Sequence, residues 1–194
     1  MTDFAFDRGA ADEQRVTKGE PRKAKAPRLD VTFREPRSGD GAALFDIVRE
    51  GGVLDENSSY AYVMFAERFA DTCVVGVHEG EVVGFVTAFR PPRDPDVIFV
   101  WQIGVHSRMR GQGLARRILQ YLVERDACVG VRYMETNITP SNVASQRLFR
   151  AFAREVGHAR VEVRPGYDEA VFPDAHESED LYRIGPFAQW GAHA

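Results

Sequence analysis

The run Arg108-Met109-Arg110-Gly111-Gln112-Gly113-Leu114-Ala115 directly follows the apolar stretch Val97 to Val105 and opens a segment in which Leu114, Ile118 and Leu122 recur every fourth residue. That order reads as a buried strand turning into an amphipathic helix through a turn almost stripped of side chains. Gly111 and Gly113 let the backbone approach a ligand closely, and the free N–H groups of the helix's first turn carry partial positive charge, so the turn is suited to an anion such as a phosphate. A nucleoside-triphosphate loop needs Lys and then Ser or Thr after its second Gly, where Leu114 and Ala115 stand here. A dinucleotide fingerprint needs a third Gly three residues on, where this chain has Arg116. The plain alternative is a tight strand-to-helix connection with no ligand.

The elements that must hold this turn can be read coarsely along the chain. Val31 to Arg34 suggests a short strand and Asp40 to Glu50 a helix closed by Gly51-Gly52. A second helix follows Asn57-Ser58-Ser59 and runs to about Ala70. Thr72 to His78 and Val82 to Phe89 form a hairpin across Glu79-Gly80-Glu81. Val97 to Val105, apolar on both faces, is the central strand. After the glycine-loop helix come a strand Tyr133 to Thr139, a helix Ser141 to Ala153, and strands over Ala159 to Val163 and Asp180 to Ile184.

The chain has 194 residues, 44% hydrophobic and 28% charged, which is the balance of a soluble protein with one domain of ordinary size. Residues 1–29 are polar and lack hydrophobic periodicity, so they read as a disordered leader. Residues 30–187 then form the domain and 188–194 a short tail. No apolar run approaches a membrane span or a signal peptide core, which makes the cytoplasm the expected location. All three lysines lie in the first 30 residues, leaving a body with net charge −5 and no lysine. A lysine nucleophile or Schiff base is thereby excluded from the domain, and an acidic body argues against nucleic acid as partner. Cys73 and Cys128 are too few for a disulfide framework, and His78, His106, His158 and His193 show no metal-ligand spacing with one another or with Cys, so no metal is expected.

Arg-x-x-Gly-x-Gly, Arg108 to Gly113, resembles the acetyl-CoA pyrophosphate loop of the GNAT acetyltransferases. The order strand, two helices, three strands, helix, strand, helix, two strands is also that of the GNAT fold. The resemblance implies an α/β fold of the α+β type, a mixed but largely antiparallel sheet flanked by helices with a V-shaped acetyl-CoA cleft. It places the pyrophosphate on Arg110, Gly111, Gln112, Gly113, Leu114 and Ala115. It also implies that backbone N–H groups near Ile103, Gly104 and Val105 meet the thioester carbonyl across a bulge that Gly104 would permit. In Thr139 to Phe149, Ser141 suits a helix cap, Asn142 would contact the coenzyme arm, and Phe149 stands where the family commonly has a Tyr that protonates the leaving thiolate. A phenyl ring cannot do that, so the role passes to another Tyr, to water, or to no residue.

Leu54 to Tyr62, Phe99-Val100-Trp101-Gln102, Thr136 to Asn142 and His176-Glu177-Ser178-Glu179 together resemble the L-2,4-diaminobutyrate acetyltransferases of ectoine synthesis. The resemblance spans about residues 31 to 187 and implies transfer of acetyl from acetyl-CoA to the 4-amino group, without a covalent enzyme intermediate and without a metal, in a homodimer. A substrate with two amines calls for pocket carboxylates, for which Asp55 and Glu179 are the candidates. Attack needs a neutral amine, and at pH 7 only about one alkyl amine in a thousand is free, which makes full activation worth ~4 kcal/mol. Glu179 or His176 is expected to take the proton, Asp55 to hold an ammonium, and Asn57 to line the pocket. Tyr60 is a candidate for binding and for thiolate protonation. Trp101 would form a wall, although its alternation with Phe99 and Ile103 also fits plain core packing. Likewise, residues 55–59 could be only a helix start, and His176 to Asp180 only a solvated charge run. The alternative functions are acetylation of another small diamine or amino acid, or a non-catalytic acyl-CoA-binding regulatory domain.

Overall fold

The computed structural model of the chain describes residues 30–52, 57–173 and 175–187. The elements are β1 (Thr32–Arg34), α1 (Gly41–Gly51), α2 (Ser59–Arg68), β2 (Val74–His78), β3 (Glu81–Phe89), β4 (Val97–Val105), α3 (Leu114–Val123), β5 (Tyr133–Ile138), α4 (Val143–Glu155), β6 (Val161–Pro165) and β7 (Asp180–Ile184). Among the described residues, five short 3-10 turns join them. The expected order is therefore present, with limits displaced by one to a few residues where a helix frays or a strand lacks a partner.

Helix α1 buries Leu44, Ile47 and Val48, one face at helical spacing, and stops where Gly52 takes a left-handed φ of 60°. Helix α2 starts at Ser58, whose Oγ accepts the N–H of Tyr60 at 3.3 Å. Helix α3 turns Leu114, Ile118, Leu119, Leu122 and Val123 inward. In α4, Asn142 rather than Ser141 is the cap, its Oδ1 accepting the N–H of Ser145 at 3.0 Å. An Asn carbonyl one residue closer to the first turn reaches a free N–H that Ser141 does not.

The seven strands form one sheet in the order β1-β2-β3-β4-β5-β7-β6. All neighbours are antiparallel except β4 and β5, which are joined through α3 and run parallel as such a crossover requires. One face packs on α3 and α4 through Ile98, Val100, Leu119, Phe149 and Phe152. The other packs on α1 and α2 through Leu44, Tyr62 and Phe85.

Two irregularities in β4 shape the site. Thr87 pairs with Gln102 and Ala88 with Val100, so Trp101 is an extra residue opposite nothing, a β-bulge. The bulge falls at Trp101 and not at Gly104 as expected. It reverses the alternation of the strand. Ile98 and Val100 face α3 and α4, Trp101 joins the α1 and α2 face, and Ile103 and Val105 return to the first face. The expected alternation of Trp101 with Ile103 is broken for this reason. Second, β4 pairs with β5 only from Val97 with Tyr133 to Phe99 with Glu135. Beyond that point β5 continues against β7 alone, and the two parallel strands part.

Candidate active site

The parted strands open a V, and the cavities fall along it. One, of about 260 Å³, is lined by Ile103, Gly104 and Val105 of β4, Arg110, Ala115, and Asn142 and Leu148 of the α4 segment, with Ile47 and Gly51 of α1 closing its side. A second, of about 300 Å³, shares Val105, Arg110 and Ala115 and extends past Gly111, Gly113, Leu114 and Arg147. Together they make a groove running from the strand gap to the start of α3.

The glycine turn is built as an anion cradle. Gly111 and Gly113 have φ of 75° and 74°, which L side chains rarely adopt, and Gly113 is the cap of α3 with no side-chain hydrogen bond closing the helix end. The first helical bond there is from the Arg117 N–H to the Gly113 carbonyl at 3.2 Å, so the N–H groups of the preceding turn are left to a ligand. Arg110 donates from Nε to the Val105 carbonyl at 3.2 Å and lines both cavities. Arg108 is taken up by Glu81, whose carboxyl this guanidinium holds below the usual carboxylate range. The Gln112 amide folds back onto the Arg108 carbonyl at 3.3 Å, so this side chain is not among those lining either cavity. Phosphate and an apolar thioester arm both fit this groove, because its α3 end carries peptide N–H groups and its walls are mainly aliphatic.

Phase on the helix decides the fate of Phe149. Its ring is 1% exposed within the core, and Leu148 takes the groove face. Phe149 therefore does not line the coenzyme groove as expected. It belongs with Phe152 and Ala153 on the inward side of α4.

On the arm of the sheet formed by β5, β7 and β6, the segment between β6 and β7 brings His176 and Glu179 together, with His176 Nε2 at 3.8 Å from Glu179 Oε1 and side chains 15% and 17% exposed. The imidazole stacks on Phe172 with centroids 3.9 Å apart. Glu179 is held through its backbone, its N–H donating to the Tyr167 carbonyl at 2.8 Å and its carbonyl accepting the Gly166 N–H at 2.9 Å. A side chain at Gly166 would place its Cβ 2.6 Å from the Glu179 carbonyl oxygen, so only glycine allows this closure. Trp101 lies on Phe65 and also meets Tyr62 at 6.0 Å between centroids. Tyr60 is 74% exposed in the first turn of α2, and Asn57 is half-buried just before it. Asp55 lies outside the described residues.

Sequence reasoning missed the groove walls Ile47 and Gly51 and the supporting Phe172 and Glu177. The helical spacing of α1 showed one buried face, but not that the end of that face would border β4. No local pattern pairs Phe172 with His176. Among the described residues no cluster of three His, Cys, Asp or Glu suits a metal, and no helix is long and apolar enough to cross a membrane.

A parted parallel strand pair with a glycine-capped helix beside it defines an acetyltransferase site, and residues 42–153 match the Acetyltransferase (GNAT) family. The chain belongs to that family. Among its relatives it is similar to the L-2,4-diaminobutyric acid acetyltransferase of Halalkalibacterium halodurans, 51% identical over 157 residues that cover 80% of this chain and 82% of the relative. Similarity to the enzyme of the same name from Marinococcus halophilus is 49% over 160 residues, 82% of this chain and 92% of the relative. A solved structure, the diaminobutyrate acetyltransferase EctA from Paenibacillus lautus in complex with its substrate L-2,4-diaminobutyric acid and coenzyme A, superposes with a TM-score of 0.78 at 45% identity, covering 82% of this chain and 96% of that one.

Proposed function

We propose that the protein transfers acetyl from acetyl-CoA to the 4-amino group of L-2,4-diaminobutyrate, giving N4-acetyl-L-2,4-diaminobutyrate for the ectoine pathway. The observation that carries this reading is the 45% identity and shared fold with an acetyltransferase solved with that amino acid and coenzyme A. The acidic, lysine-free domain agrees with a cationic amine as acceptor and with direct attack.

The chain's own residues divide the work. First-turn N–H groups at Leu114 and Ala115, with Gly111, Gly113 and Arg110, hold the pyrophosphate. Past Phe99, β4 has no β5 partner, so over Ile103, Gly104 and Val105 the alternate N–H groups that point away from β3 are available to the thioester oxygen, where they stabilise the charge that develops during attack. Asn142 borders the pantetheine arm. Glu179 or His176 takes the proton from the attacking ammonium, Asp55 and Asn57 hold the substrate, and Trp101 walls its pocket. Tyr60 is the proton donor to the thiolate. Residues 30–187 form the catalytic unit behind a leader at 1–29, acting as a homodimer in the cytoplasm without nucleic acid or membrane partners.

The test is thiol release from acetyl-CoA with L-2,4-diaminobutyrate, ornithine, lysine and putrescine, with NMR of the product. Preference for diaminobutyrate acetylated on the 4-amino group is expected. A higher kcat/KM for a longer amine would keep the coenzyme and discard the acceptor. Binding of acetyl-CoA with no turnover would discard the enzyme reading.

A further inference from the structure

The end of α1 meets the turn that leaves β4 at one imidazole. His106 follows β4 and donates its backbone N–H to the Val83 carbonyl of β3 at 3.0 Å, which fixes the residue to the sheet. Its Nδ1 accepts the N–H of Arg108 at 3.3 Å and so caps the short 3-10 turn Ser107–Met109 that leads into the glycine turn. A peptide N–H can only donate, so Nδ1 carries the lone pair and the hydrogen of the neutral ring sits on Nε2. That nitrogen lies 3.3 Å from Oε2 of Glu50, in the last turn of α1. The helix dipole disfavours a carboxylate at a C-terminal end, and an N–H facing it offsets that.

The neighbours of these residues line the coenzyme groove. Gly51 follows Glu50, and a Cβ there would stand 3.1 Å from Arg110 Nη2, so the guanidinium lies against the end of α1. The same side chain donates from Nε to the carbonyl of Val105, the residue before His106, at 3.2 Å. Gly51, Val105 and Arg110 all border the cavity at the strand gap, whereas the Arg108 guanidinium is taken up by Glu81. Arg110 thus rests on the last residue of β4 and on the end of α1, and His106 contacts both the turn that carries Arg110 and that helix end.

We infer that His106 is a positioning residue for coenzyme binding: Nδ1 sets the turn that carries Arg110, Nε2 sets the end of α1 against it, and together they aim the Arg110 guanidinium at the pyrophosphate. The inference rests on the reading of Arg110 as a pyrophosphate ligand. A neutral imidazole suits the task because one nitrogen accepts while the other donates.

The experiment is calorimetric titration with coenzyme A of His106→Ala, His106→Asn, Arg110→Ala and the double variant of His106→Ala with Arg110→Ala, with steady-state kinetics beside it. His106→Ala is expected to weaken coenzyme A about five- to tenfold, the scale of one lost hydrogen bond, and to raise KM for acetyl-CoA in step. Both kcat and the KM for diaminobutyrate should stay within about twofold. In the Arg110→Ala background the same substitution should change affinity by less than about twofold, since a residue that acts through Arg110 has nothing left to aim. The Oδ1 of His106→Asn can accept the Arg108 N–H but falls short of Glu50, so this variant should show an intermediate loss. Additive losses in the double variant, equal loss for both substrates, or unweakened binding by His106→Ala would overturn the proposal. An Asn variant matching either the unmodified enzyme or the Ala variant would also overturn it, because one end of the imidazole would then be idle. Unchanged affinity in Arg110→Ala would overturn the pyrophosphate reading itself and the inference with it.

Discussion

Trp101 lies flat on Phe65, with ring centroids 4.6 Å apart and planes 12° from parallel. Ordinary alternation puts Trp101 on the α2 face, opposite Ile98 and Val100, and the bulge at Trp101 then sends Ile103 and Val105 back to the α3 and α4 face, beside the point where β4 and β5 part. One indole thus packs against α2 and stands at the edge of the V.

Replacing Trp101 separates these two tasks. Trp101→Ala is expected to cost about 2–4 kcal/mol in urea denaturation, somewhat under a fully buried Trp because the ring is half-buried. Trp101→Phe keeps a stack on Phe65 but has no N–H, so stability should change little while KM for diaminobutyrate rises. An unchanged KM would leave Trp101 as packing alone.

Gly104 is needed for want of space. A Cβ there would stand 2.6 Å from Phe85 Cε1 and 3.1 Å from Ile47 Cγ2. Gly104→Ala should lower stability by about 1–3 kcal/mol, the usual cost of overpacking. Adding Phe85→Leu should recover part of that loss, a non-additivity readable from the melting temperatures of the single and double variants.

At Gly113 the constraint is backbone conformation. With φ of 74° at the cap of α3, Gly113→Val forces a β-branched residue into the left-handed region at about 1–2 kcal/mol and crowds the anion cradle. Calorimetric titration should show acetyl-CoA binding at least about tenfold weaker, as an anion site losing backbone donors would be, with the diamine KM little changed. Equal losses would mean a misfolded chain.

Asp40 supplies a pH-dependent contribution to stability. Arg34 donates to both its oxygens, at 2.6 and 2.9 Å, and this hydrogen bonding holds the carboxyl below the usual carboxylate range, helped by the Arg37 N–H. A depressed folded-state pKa means the stabilisation is present above the unfolded-state value near ~4 and is lost as pH falls through the folded one. Asp40→Asn should therefore cost about 1–2 kcal/mol at pH 7, the scale of a charged hydrogen bond, and far less in acid. Urea midpoints of the two proteins should converge as pH falls; a constant gap would exclude the ionised pair as the cause.

Both thiols should be silent in the folded protein. Burial pushes Cys73 up to about 12 and Cys128 up to about 11. Cys73 also accepts the Ala88 N–H at 3.4 Å. A maleimide at pH 8 should label neither until denaturant is added, as the thiolate is the reactive form. Rapid native labelling would mean local opening around β2.

The sequence alone determined the order of elements, the glycine cradle and the central strand, because these depend on local features. Apolar runs mark Val97 to Val105 and Asp180 to Ile184 at their observed limits, and the positive φ of Gly111 and Gly113 is the conformation glycine is selected for. Motif resemblance extended this to the coenzyme and acceptor, since the residues that carry it stand in short contiguous stretches.

Tertiary structure alone decided the bulge at Trp101, the point where β4 leaves β5, the exchange of Phe149 for Leu148 on the groove, and the partnership of Glu50 with His106. Each depends on which residue of one element faces which residue of another. Strand register is set by the neighbouring strand, and helix phase by the layer beneath. A chain read locally shows which residues can turn inward, but a single extra residue in β4 reverses which side that is.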